Sequence, residues 1–128
     1  MEEALRALLQ GSSAVTALVS ADLINWGAHP QGPVGPYIAL LTVSGIEGLT
    51  MQGATGMEEF RVQIDCCGPS YSGTKAAARA VKSALHGYRS GGFRLIEHAG
   101  SRDSREGGSN EAERLFRSSQ DFIINWRA

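Results

Sequence analysis

The chain has 128 residues, of which 42% are hydrophobic and 20% charged, and its formal net charge is -1. That length suits one domain able to bury roughly two thirds of its unfolded surface without metal or disulfide staples. The near-neutral balance excludes the concentrated positive field on which sequence-independent nucleic-acid binding rests. No stretch approaches the roughly 20 consecutive apolar residues that cross a bilayer. The opening Met1-Glu2-Glu3-Ala4-Leu5-Arg6 carries two acids where a signal peptide has a basic lead and a long apolar run, so residence in the cytoplasm where the chain is made is expected.

Leu5, Leu8 and Leu9 recur at helical spacing, as do Val15, Leu18 and Val19, which predicts helices over about residues 2–10 and 13–19. Gly11-Ser12-Ser13 breaks the two runs and supplies an N-cap. Residues 22–26 read as a short extended piece. Gly27 to Pro36, with three prolines and three glycines, reads as a turn-rich connection. Tyr37 to Ser44 is β-rich and apolar on both faces, the mark of a buried strand. Gly45 to Met57 is too long for a tight turn and predicts a mobile loop carrying Met51 and Met57.

Residues 58–67 alternate. Phe60, Val62, Ile64 and Cys66 take one face, and Arg61, Gln63, Asp65 and Cys67 the other, so a half-buried strand is expected. The strongest helical pattern spans 71–88. Ala77, Val81, Ala84, Leu85 and Tyr88 form its apolar stripe, and Lys75, Arg79, Lys82 and His86 lie opposite. Ser70 or Ser72 can cap its start, and Gly87 stands near its end. Phe93 to His98 reads as a strand, and Gly100 to Asn110 as a polar, mobile segment. The last segment alternates again, with Phe116, Phe122, Ile124 and Trp126 against Arg117, Ser119, Asp121 and Asn125. Hairpins separated by a helix predict an α+β fold, a mainly antiparallel sheet of about four strands with helices packed on one face. The whole, residues 1–128, is expected to be one domain.

Few residues invite chemistry. His29, His86 and His98 fall on a loop, a solvent face and a strand end, without the spacing of a metal cluster. Glu58 and Glu59 diverge on a strand and read as solvated charges. Cys66 and Cys67 point to opposite faces, which makes a poor bridge, and they lack zinc or redox spacing. They read as free thiols of a reducing compartment, Cys66 as a small core residue. Gly91-Gly92 and Gly107-Gly108 have no Gly-Lys-Ser/Thr behind them and cradle no phosphate. The stripe Lys75/Arg79/Lys82/His86 has two readings, a contact with DNA or an acidic neighbour, or simply the wet side of an amphipathic helix. No catalytic residue, metal or cofactor is expected, so an enzyme is not; a small thiol-dependent enzyme using Cys66 or Cys67 is the rival of another class.

Several strings in order carry a resemblance. They are Pro30-Gln31-Gly32 followed by Pro36-Tyr37-Ile38, then Phe60 to Cys66 running into a helix with Ala76, Ala80, Val81, Ala84 and Leu85, and finally Arg117 to Trp126. Together they resemble the tail completion, or tail terminator, proteins of long-tailed phages and related gene transfer agents. The pair Cys66-Cys67 departs from that pattern, where a large residue is expected after Asp-Cys. The resemblance implies a structural virion protein that forms a ring, usually a homohexamer, on the last ring of the tail tube and joins it to the head-side connector or stopper. It implies the tube protein and that connector as partners, DNA passing through the lumen without sequence-specific binding, and no membrane. A head–tail connector or neck adaptor is the nearest alternative. Met51, Met57, Lys75, Arg79, Lys82, Arg102 and Arg105 are the candidate interface residues.

Overall fold

In the computed structural model, the residues described are 1–27, 36–50, 53–106 and 115–127, with the backbone alone at 46–50, 53–57, 104–106 and 115. Two helices open the chain, α1 (Glu2–Gln10) and α2 (Ser13–Thr16). A single 3-10 turn, Ala21–Leu23, leads into strand β1 (Ile24–Trp26). Strands β2 (Tyr37–Thr50) and β3 (Gly53–Gly68) follow, then helix α3 (Tyr71–Leu85) and strands β4 (Phe93–Glu106) and β5 (Leu115–Arg127).

The strands form one five-stranded sheet in the order β1-β2-β3-β5-β4. The expected four strands become five, and the sheet is mixed, because β1 pairs in parallel with β2, setting Ile24 against Ile38 and Trp26 against Leu40. Three residues carry too little alternation to show a pairing direction, and the long connection from β1 to β2 is what permits a parallel neighbour.

Two segments expected as loops are strand. Residues 45–50 and 53–57 prolong β2 and β3, down to the pair Thr50 and Gly53, and residues 100–106 prolong β4 against β5. A ladder is built from backbone hydrogen bonds, so it continues past the end of the apolar core through glycines and charges that carry no alternating pattern. Each prolongation follows a register shift, at Thr42/Ser44 in β2 and at His98/Gly100 in β4. A one-residue slip also scrambles the period-2 signal. The tip of the β2–β3 hairpin at Met51, the proline-rich connection including His29, Pro30 and Pro33, and residues 107–114 lie outside the described residues.

All three helices contribute to one core beneath one face of the sheet. Leu5 and Leu9 of α1, Val15 of α2 and Val19 just beyond it meet Ala77, Ala78, Val81 and Leu85 of α3 and the inward residues Ile38, Leu40, Val62, Ile64, Cys66, Ile96, Phe122 and Ile124. Leu18 is exposed although its spacing matches the stripe, because α2 stops at Thr16 and the chain turns. Ser70 caps α3, its Oγ accepting from the Gly73 amide at 3.1 Å. The helix ends at Leu85, short of Tyr88. There Gly87 adopts φ +82° and donates its amide to the Ile96 carbonyl at 2.8 Å. A side chain is strained in that left-handed conformation, so glycine makes the turn that sends the chain back along β4.

Candidate assembly surfaces

Because the helices cover one face, the sheet presents its other face without a helix among the described residues. Alternation sends Arg61, Gln63 and Asp65 of β3 there, together with Arg117 and Asp121 of β5 and Arg102 of β4. These side chains are wired to one another. Arg61 Nη2 lies 3.1 Å from Asp121 Oδ2, and Arg102 Nη1 lies 3.5 Å from the same oxygen. Arg102 Nη2 donates to Gln63 Oε1 at 2.8 Å, and Gln63 Nε2 donates to Asp65 Oδ1 at 3.0 Å. Arg117 Nη1 approaches Asp65 Oδ2 at 3.9 Å. The charges of the open face are thus largely consumed within the subunit, in pairs whose arginines reach solvent while Asp121 and Asp65 are mostly covered.

The α3 flank differs. Its N-terminal turn brings Tyr71, more than half exposed, edge-on to Phe116 with ring centroids 5.8 Å apart. Tyr71, Thr74, Lys75, Asp103, Phe116, Arg117 and Ser118 line a shallow, mostly apolar cleft beside them. Lys75 is half-buried and paired with Asp103 at 3.0 Å, and that hydrogen bond holds the Asp103 carboxyl below its ordinary range. One turn on, Arg79 and Lys82 are exposed and make no ion pair among the described residues. They border a polar groove between α3 and the β4–β5 edge that also includes His98, Ser101, Ser118 and Gln120. Gln120 is buried and ties the layers together, Nε2 donating to the Ala78 carbonyl at 2.7 Å.

The fold brings His86 and His98 together. The His98 amide donates to His86 Nδ1 at 3.0 Å, so the two residues join the end of α3 to β4. Residues 12 apart on unlike elements give no spacing signal, and the sequence reading missed this contact. Burial, then the nearby Lys82 and His86, push the His98 imidazole below its ordinary value, so it is neutral near pH 7. No group of three metal-ligating side chains gathers among the described residues.

Candidate residues therefore separate. Lys75, Arg79 and Lys82 share α3, whereas Arg102 lies on the far side of the sheet inside the polar network. Met57 lies in β3 with its backbone opposite Arg127, and Arg105 lies in β4 opposite Phe116; their side chains, and Met51 altogether, fall outside what is described. Both cysteines are buried and unbridged. Burial raises both thiols, Cys66 far above the usual cysteine range, although Tyr37 and Arg117 hydrogen-bond the Cys67 thiol and partly offset its rise. Neither is poised as a thiolate nucleophile. Cys67 was expected on the open face; it lies there by alternation but is covered.

Around the start of α1 the exposed charges are acidic. The start of α1 carries Glu2 and Glu3, both exposed, and Met1, Glu2, Glu3, Thr42 and Phe60 line a shallow groove. Glu2 Oε2 accepts from Thr42 Oγ1 at 3.2 Å, and the Glu2 carbonyl accepts from Trp26 Nε1 at 3.0 Å. Glu58, two residues before Phe60 and so on the same face of β3, adds a third carboxylate.

Among the described residues these surfaces bring no nucleophile and base together. A family model described as tail completion protein gp17 matches residues 3–125. A solved chain from "Virion of native gene transfer agent (GTA) particle" is similar in fold, with a TM-score of 0.75 and 21% identity, covering 97% of this chain and 92% of that one. No curated protein matches the sequence.

Proposed function

Because the chain belongs to the tail completion protein gp17 family, we propose that it assembles as a ring on the end of a phage-type tail tube, stops tube growth there and joins the tail to the head-side connector. It is a structural tail-completion protein, not an enzyme. Its place is the tail of the particle, in which it contacts other virion proteins. The observation that carries the reading is the family match across nearly the whole chain, supported by the similar fold of a chain from a gene transfer agent virion. A closed ring needs a heterologous interface, two different patches on each subunit. The subunit offers two unlike flanks, a basic one at α3 and an acidic one at α1. DNA passing the lumen would meet a near-neutral subunit, which suits passage better than capture.

Deletion of the gene tests this directly. Electron microscopy should show tails of irregular length that fail to join heads, restored by the gene supplied in trans. Tails of normal length joined to heads in the deletion strain would overturn the proposal. Copurification with heads in place of tails would make the protein a connector or neck adaptor.

A further inference from the structure

We infer that neighbouring copies of this chain meet head to tail, the Arg79/Lys82 flank of α3 seating against the Glu2/Glu3/Glu58 flank of the next copy. The inference rests on the ring reading and names the surfaces that would form its seam.

The first argument is which charges are already satisfied. Lys75 is paired with Asp103, Arg61 and Arg102 with Asp121, and Arg117 with Asp65. Arg6 is committed to the Ile24 carbonyl at 2.8 Å and to Asn25 Oδ1 at 3.0 Å. Arg79 and Lys82 on one flank, and Glu3 and Glu58 on the other, make no ion pair among the described residues. On each of these two flanks the unpaired charges share one sign, while Arg89, Arg94, Arg127, Glu59 and Glu97 elsewhere also make no ion pair among the described residues.

The second argument is position. The helix α1 contacts β1, whereas α3 contacts β3, β5 and β4. With the order β1-β2-β3-β5-β4, α1 with Glu2 and Glu3 lies toward the β1 edge and α3 toward the β4 edge, while Glu58 lies on the central strand β3. Opposite placement of complementary patches is what a head-to-tail ring requires, while a two-fold dimer would need one self-complementary patch. Both edges are also open among the described residues. The strand β1 covers β2 only at Ile38–Leu40, and β4 pairs only with β5 among the described residues. An open strand edge is ready to be covered by another chain.

Charge reversal with cross-rescue tests the seam. One variant carries Arg79→Glu and Lys82→Glu, the other Glu3→Lys and Glu58→Lys. Each is added, as full-length protein, to tails isolated from the deletion strain, and copies bound per tail are measured at low and high salt. Each variant alone juxtaposes like charges at every seam and should need about tenfold or more protein for half-occupancy. An equal mixture makes every seam complementary in an alternating ring, and should return to within about threefold of the wild type, which general misfolding could not do. Wild-type binding should also weaken with salt. Normal binding by each variant alone overturns the seam, as does a mixture of well-folded variants, checked by circular dichroism, that fails to rescue. If the wild type itself binds as one copy per tail, the ring reading fails and the seam with it; several copies per tail with no response to charge reversal overturns the seam alone.

Discussion

Replacing Leu85 with alanine tests the assignment of the buried face of α3. Leu85 is fully buried in the last turn of the helix, in the same cluster as Val81, Ile96 and Phe122. Truncation removes three carbons, a transfer loss of about 2.4 kcal/mol at roughly 0.8 per methylene. The surrounding side chains are anchored on a hydrogen-bonded sheet and can collapse only in part, so a cavity term brings the total to about 3–4 kcal/mol. At about 2.1 cal/mol/K per residue, the unfolding entropy of 128 residues is about 0.27 kcal/mol/K, and Tm should fall by roughly 11–15 °C. Lys82→Ala, three residues earlier and exposed, should cost no more than about 0.5 kcal/mol, or about 2 °C. Thermal unfolding followed by circular dichroism at one fixed protein concentration reads both. Shifts under about 2 °C for both variants would refute the packing described for α3.

Three further outcomes follow from single contacts. Ser70→Ala removes the cap on the Gly73 amide and should cost about 1 kcal/mol, read as a lower urea midpoint at unchanged m-value; an unshifted midpoint would contradict the cap. Cys66 and Cys67 should resist a thiol reagent in the native protein and react promptly in denaturant, since both are buried with raised thiols; prompt labelling of the native form would reject this. His98 should titrate below its ordinary value of 6.5 by NMR, and Lys82→Ala should move the midpoint up. Because the folded state holds this imidazole low, the unfolded chain takes the proton first. Its contribution to stability is therefore complete above about 6.5 and declines as pH falls below that toward the folded value. A His98 midpoint above 6.5 would contradict the environment described.

The core was legible wherever burial imposed a period. Phe60, Val62, Ile64 and Cys66 alternate because one side of β3 is covered, and Val81 and Leu85 repeat because one side of α3 is. The seams were less legible. The join of His86 to His98, the tie from Gln120 to Ala78 and the network around Asp121 link residues from 12 to 60 positions apart. Local spacing carries no record of such contacts. The stripe of Lys75, Arg79 and Lys82 shows the limit well. Its spacing placed all three on one side of a helix, yet the approach of β4 decides that Lys75 is spent on Asp103 while its two neighbours make no ion pair among the described residues.

By itself the sequence determined the helices, the inward faces of the strands, the α+β class and the family, because each is written in local periodicity or in ordered strings of residues. Tertiary structure alone decided the fifth, parallel strand, the length of β2, β3 and β4 beyond the core, and which charges of α3 and of the open face are paired within the subunit. Those features depend on which backbone meets which across space, and hydrogen-bonded ladders and ion pairs accept many side chains at a position where packing accepts few.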